Sequence, residues 1–298
     1  MHVHKIHTCT GHNAALYALA PGTGQRHFLT AGGDGWIVAW NLDNPENGRV
    51  VAQVPAQIFA LCKLDDGRLV AGNMNGGIHW IDLEHPDQTR NLQHHRKGVF
   101  ALKQIGPFVY SCGGDGFLTR WLAEKALSLE SIQLSHQSLR CLAYDATRGW
   151  LAIGGSDYAI YVLNERTMAL QRVLKMAHTS SVFSLAFSPD GRYLWSGGRD
   201  AMLRIWDIES DFAPVSAQPA HLYTINDMAF SPDGQWLITA SRDRTIKCWD
   251  AHSFALLKVI DTLRNGSHPR SVNRLMWQDG WLISAGDDRQ AMIWEINR

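Results

Sequence analysis

Ser196-Gly-Gly-Arg-Asp200-Ala-Met-Leu-Arg-Ile-Trp206-Asp207 sets small residues ahead of an Asp and an aromatic six positions after it. The same arrangement returns from Asp34 to Trp40, Asp115 to Trp121, Asp243 to Trp249 and Asp288 to Trp294. It returns with altered residues from Asn75 to Ile81 and from Asp157 to Leu163, which makes seven copies. The anchors at 34, 75, 115, 157, 200, 243 and 288 stand 41, 40, 42, 43, 43 and 45 residues apart. A four-stranded propeller blade occupies ~40 to 45 residues. Helical repeats of that length would show a 3.6-residue apolar period, whereas Ser181-Val-Phe-Ser-Leu-Ala-Phe187 and Tyr193-Leu-Trp-Ser196 are short, rich in strand formers and bounded by turn residues.

The turns agree with strands. Ser188-Pro-Asp-Gly191 and Ser231-Pro-Asp-Gly234 supply a fixed φ at Pro and a permissive one at Gly, and Asp66-Gly67 and Asp279-Gly280 fall in the same slot. Each is expected to join the first two strands of a blade.

Gly11-His12, Trp206-Asp207 and Trp249-Asp250, with partial matches at Trp40-Asn41, Trp121-Leu122 and Trp294-Glu295, resemble the WD40 repeat family, whose blades carry a Gly-His near the start and a Trp-Asp near the end. The resemblance spans nearly the whole chain. It implies an all-β fold, a seven-bladed WD40-type β-propeller formed by residues 1–298 as a single domain. It also implies that Val3 to Cys9 adds the missing outer strand to the blade that ends at Arg298, a closure that avoids an unpaired strand edge.

Aligning the repeats exposes a four-residue set in five of them: His12, Thr30, Asp34, Trp40; His95, Ser111, Asp115, Trp121; His178, Ser196, Asp200, Trp206; His221, Thr239, Asp243, Trp249; and His268, Ser284, Asp288, Trp294. Hydroxyl, imidazole and carboxylate together imitate a hydrolase triad. A nucleophilic site is needed once, however, and this set recurs with the period of the fold. The family resemblance implies a hydrogen-bonded network inside each blade, in which buried polar groups satisfy one another. Blade two, with Ala71, Asn75 and Ile81, and blade four, with His136, Ile153, Asp157 and Leu163, lack the full set and are expected to lean on apolar packing.

Composition narrows the function classes. Lys plus Arg and Asp plus Glu both total 28, so no global basic field draws nucleic acid or an anionic membrane. Twelve Trp and 26 Gly suit a Trp-bearing repeat with tight turns. No apolar run reaches signal-peptide or membrane-span length, and the expected location is cytoplasmic. Cys9, Cys62, Cys112, Cys141 and Cys248 are scattered without a CxxC pair and read as reduced thiols. His2, His4, His7 and the His94-His95 pair lack the Cys or carboxylate cluster that would complete a metal site, and no cofactor fingerprint is present.

The expected function is therefore a non-catalytic scaffold that binds a protein or peptide, on the analogy of WD40 relatives. An enzyme with a channel-mouth site and a nucleic-acid-binding propeller are the alternatives. The resemblance places partner contacts around the channel mouth, three and five positions after a blade's His and just before its Asp. Here the fifth positions are Tyr17, Phe59, Phe100, Arg140, Phe183, Asn226 and Asn273, with blade two aligned on Ile58 and blade four on Leu139 because their spacing is irregular, and the positions before the anchor include Met74, Arg199, Arg242 and Asp287. Aromatic and Arg side chains suit an acidic or hydrophobic peptide. The same aromatics could instead fill space between blades.

Overall fold

A computed structural model describes residues 1–297; Arg298, the expected end of the last blade, lies outside the described residues. These residues form seven four-stranded antiparallel sheets arranged as blades of a ring. Six blades are four consecutive strands. In the first, for example, Leu16–Pro21 is innermost, followed by His27–Gly32, Trp36–Asn41 and Asn44–Gln53. The seventh takes its outer strand from the chain start: His2–Cys9 runs antiparallel to Ala291–Asn297, with His2 opposite Asn297 and Cys9 opposite Ala291.

The core is divided rather than central. Each of seven apolar clusters lies between one pair of neighbouring blades, because each sheet buries both faces against the next. Phe28 and Trp40 of blade one, for instance, pack with Ile283, Ile293 and Cys9 of blade seven. The cluster between blades six and seven buries Trp294 completely, a side chain worth roughly 1.5 to 3 kcal/mol of apolar burial.

The expected turns fall between the first two strands of their blades, and Gly191 and Gly234 take the left-handed φ (71° and 70°) that the turn requires. The residue after each anchor also has positive φ. Gly35 fills this slot in blade one, where a Cβ would stand 2.1 Å from the Val54 carbonyl oxygen, so a larger residue would not fit. The 45-residue last spacing has a structural cause: a short helix, Thr262–Asn265, precedes blade seven, capped by Asp261 at its start and left-handed Gly266 at its end. Lys5 of the outer strand donates to the Gly266 carbonyl at 2.7 Å. No helix of the described residues is long and apolar enough to cross a membrane.

Candidate binding site at the channel mouth

The five aligned polar sets are networks within blades. In blade five, His178 Nδ1 meets Asp200 at 2.9 Å and its Nε2 meets Ser196 Oγ at 2.8 Å, while the Trp206 indole donates to that hydroxyl at 2.9 Å. The chains from His12 to Trp40, His95 to Trp121, His221 to Trp249 and His268 to Trp294 repeat this geometry. The Asp also accepts backbone N–H groups, as Asp200 does from Thr179 and Met202. Burial would raise the Asp200 pKa, but the His178 hydrogen bond and charge, with those N–H groups, hold it down to about 2. Each hydroxyl lies in the blade interior, between an imidazole and an indole.

Blades two and four, expected to lean on apolar packing, also carry polar pairs of their own. In blade two, Asn73 and His79 meet at 2.9 Å, and His79 reaches Asn91 at 2.6 Å. In blade four, Asp157 accepts from Ser135 Oγ at 2.6 Å and from the Tyr161 hydroxyl at 2.5 Å. His136 is exposed and pairs with Gln133 instead. Polar groups taken out of water pair with whichever partners lie within reach, so the polar pairing survives a change of residue types.

The histidines considered for metal have other surroundings. His2 and His4 are exposed on the outer strand of blade seven, and His94 meets Thr119 Oγ1 at 2.9 Å. No group of three or more His, Cys, Asp or Glu side chains among the described residues is placed to hold a metal ion.

The seven fifth-position residues share one backbone feature. The register of each innermost strand slips at that residue: Leu16 pairs with Gly32 and Ala18 with Ala31, leaving Tyr17 without an opposite partner. The same slip isolates Phe59, Phe100, Arg140, Phe183, Asn226 and Asn273. A β-bulge re-aims its extra side chain, and seven of them turn these residues toward one mouth of the ring. All seven, with Arg274, line a mouth pocket of about 290 Å³.

Their chemistry divides the mouth into two arcs. Tyr17 meets Phe59 edge-on at 5.3 Å, Phe59 stacks on Phe100 at 5.7 Å, and the Arg140 guanidinium lies 4.4 Å from the Phe100 ring centre and 5.3 Å from that of Phe183. These side chains are half-buried, stacked on one another yet still open to the pocket. On the other side, Asn226 donates to Ser271 Oγ at 2.9 Å and to the Val272 carbonyl at 2.8 Å. Asn273 donates to the Leu16 carbonyl at 2.9 Å and to Asp287 at 2.7 Å. Arg199 and Arg242 stand exposed on the rim, anchored by backbone N–H bonds to Ser181 and Thr224, and Met74, in blade two, is also exposed.

One functional feature escaped the sequence reading. The residue after each bulge faces the channel, and this slot reads Ala18, Ala60, Ala101, Cys141, Ser184, Asp227 and Arg274 around the ring. Arg274 reaches across it, with Nε donating to the Tyr17 carbonyl at 2.7 Å and Nη2 making longer contacts to the Phe59 and Phe100 carbonyls at 3.4 and 3.5 Å. Asp227 accepts the Met228 and Leu275 N–H groups; burial pushes its carboxyl up, opposed by the Arg274 charge. Reading one position beyond the fifth would have isolated both charges, since the other five residues are small and uncharged.

Comparison with known proteins agrees with the architecture. The family model described as WD domain, G-beta repeat matches residues 4–41, 169–207 and 212–250. WD repeat-containing protein 36 of Homo sapiens is 28% identical over 51% of this chain and 16% of its own length. Telomerase protein component 1 of Rattus norvegicus is 26% identical over 70% of this chain and 8% of its own. U3 small nucleolar RNA-associated protein 21 of Saccharomyces cerevisiae is 24% identical over 57% and 17%. The chain thus spans less than a fifth of the length of these curated relatives. Among solved structures, the WD40 β-propeller domain of Doa1 superposes with a TM-score of 0.86 at 17% identity, covering 100% of this chain and 98% of that one. WD40 propellers are generally protein-interaction scaffolds. By its ring of seven four-stranded blades this chain is a seven-bladed β-propeller, and three stretches of it match the WD40 repeat model.

Proposed function

We propose that the chain is a non-catalytic scaffold that binds a protein or peptide at the channel mouth, through the arc from Tyr17 to Phe183 with Arg199 and Arg242 on its rim. The observation that carries this reading is the set of seven bulges, which delivers one side chain per blade to a single pocket. Aromatic and Arg side chains held half-buried around a concavity are the groups that dominate interface energetics. The seam formed by Asn226, Asn273 and Asp287 frames the site, its amide donors being engaged within the ring. A non-catalytic role is supported by the hydroxyls of the five networks, each of which sits buried between an imidazole and an indole, away from the mouth. A cytoplasmic location belongs to the same proposal and is tested by cell fractionation.

The deciding experiment is affinity capture from the native cell with mass spectrometry, comparing the protein with a combined Phe59→Ala and Phe100→Ala variant. Selective loss of partners from a variant that still melts cooperatively is the expected result. Retention of every partner would place the site elsewhere.

A further inference from the structure

The mouth contains a cation without a counter-ion. Arg140 sits between the Phe100 and Phe183 rings, and its Nε donates to Ser156 Oγ at 2.9 Å. Its two terminal nitrogens donate to no group among the described residues, and it joins no ion pair there. Arg199 and Arg242 on the adjoining rim also lack an acidic partner among the described residues. The carboxylates of the mouth and its surroundings are engaged elsewhere: Asp287 accepts from Asn273, Asp227 accepts two backbone N–H groups, and Asp157, next to Ser156, accepts from Ser135 and Tyr161. Burial pushes the Arg140 guanidinium below its ordinary pKa, and Arg199 adds like-charge repulsion. An incoming anion would relieve both costs, since partial desolvation strengthens a paired charge and penalises an unpaired one.

We infer that Arg140 is the specificity-determining contact of the mouth, reading a side-chain carboxylate on a peptide whose neighbouring apolar residue lies on Phe59 and Phe100. This rests on the mouth-binding reading and gives it a chemical class. The two rings and the Ser156 bond hold the guanidinium in place, leaving its two terminal nitrogens as a fork whose N–H groups match a carboxylate's two oxygens. The pocket, about 290 Å³, falls at or below the lower end of the roughly 300 to 1,000 Å³ of small-molecule sites and suits one or two inserted side chains. The stacked rings supply apolar surface beside the charge without further ordering, because their rotamers are already fixed by contact with each other.

The test is selection of a random dodecapeptide phage library on the full chain, in parallel on Arg140→Gln and on Phe59→Ala/Phe100→Ala, each variant first checked by thermal melting. Peptides selected by the wild type are expected to be rich in Asp or Glu beside an aliphatic or aromatic residue. For a synthetic peptide of the consensus, replacing its acidic residue by the amide should weaken binding on the order of tenfold or more. The same change should have little effect on Arg140→Gln, because the interaction it removes is already gone. Selection without acidic enrichment, failure to select any peptide, or undiminished acid-over-amide preference in Arg140→Gln overturns the inference. Should Arg140→Gln fail to fold, Arg140→Lys takes its place, keeping the charge but not the fork, with a several-fold drop in acid preference expected. Binding lost in the Phe variant with acid preference unchanged in the Arg140 variant leaves the mouth standing and removes Arg140. Binding indifferent to both variants removes both readings.

Discussion

The Asn273 side-chain amide donates to the Leu16 carbonyl at 2.9 Å, bonding the innermost strand of blade seven to that of blade one. One residue on, Arg274 Nε donates to the Tyr17 carbonyl at 2.7 Å. Beside the apolar cluster between blades seven and one, hydrogen bonds therefore close the ring in two places: at its axis by these two side chains, and at its outer edge by the strand His2–Cys9 on Ala291–Asn297. The two closures should differ in strength. Asn273→Ala removes hydrogen bonds to Leu16 and Asp287 and is expected to cost about 1 to 2 kcal/mol, a melting shift of a few degrees. Deleting residues 1–10 strips a whole strand, uncovers the edge Ala291–Asn297 and should give a larger loss with aggregation. Calorimetry and light scattering decide this; a monodisperse deletion variant with an unchanged melt would refute closure at the outer edge.

The networks make a second comparison. Asp200 holds His178 and the Thr179 and Met202 N–H groups at once, so Asp200→Ala leaves the buried His178 imidazole and two backbone N–H groups without their acceptor. The expected cost is about 1 to 3 kcal/mol. Asn75 occupies the same slot in blade two but is exposed, and the backbone turn there is held by Asn73. Asn75→Ala should stay within about 0.5 kcal/mol. Equal urea midpoints for the two variants would count against the network assignment.

Acid should act through the same carboxylates. The folded protein keeps Asp200 ionised down to about pH 2, whereas its ordinary value is 3.8. Between those values the unfolded chain binds protons that the folded one refuses. The stabilisation is thus complete above about pH 4 and is lost as pH falls through 2. Asp115 and Asp243 are held down in the same sense, with burial overcome by their His partners and backbone N–H groups. His221, pushed down chiefly by burial against the pull of Asp243, adds a loss of the same sign below its ordinary 6.5. Urea midpoints measured from pH 7 to pH 2 should fall with pH, and Asp200→Asn should flatten the slope between pH 4 and 2. A slope unchanged in that variant would show that Asp200 is not depressed.

Thiol chemistry checks the burial pattern independently. Burial pushes Cys9, Cys141 and Cys248 up to about 12 and Cys112 well above its ordinary value, whereas Cys62 is only half-buried. At pH 8, iodoacetamide should modify Cys62 slowly and the other four only after denaturation. Rapid labelling of Cys112 in the native protein would contradict its place between blades three and four.

The repeat was legible because its signals are local: an Asp, an aromatic six residues on, and a Pro-Asp-Gly turn need no tertiary information. Counting five positions from the His located the mouth residues of five blades, and aligning blades two and four on Ile58 and Leu139 located Phe59 and Arg140. What the count could not show was the use each side chain finds. Phe59 and Asn273 hold equivalent slots, yet one stacks on a neighbouring ring while the other is spent on a carbonyl across the seam. Arg274 was missed because its role depends on the width of the channel. The partners of Asp157 were missed because Ser135 lies one residue before the expected His136, and Tyr161 lies outside the four positions of the recurring set.

Blade four therefore offers the sharpest remaining test. The Tyr161 hydroxyl is buried and donates to Asp157, which has one other side-chain donor, Ser135. Burial first, and then the Asp157 hydrogen bond and charge, push the Tyr161 phenol up to about 12. Tyr161→Phe keeps the ring packed but leaves the carboxylate one donor short, for an expected loss of about 1 to 2 kcal/mol. Tyr144→Phe is the control, since its hydroxyl has no hydrogen-bond partner among the described residues, and should cost less than about 0.5 kcal/mol. Ultraviolet titration supplies a readout that packing alone would not move: Asp157→Asn should lower the Tyr161 ionisation from about 12 by removing the adjacent charge, while the part of the rise due to burial remains. If Tyr161→Phe and Tyr144→Phe unfold at the same urea concentration, and Asp157→Asn leaves the titration unmoved, the Tyr161 to Asp157 bond is not what replaces the network in this blade.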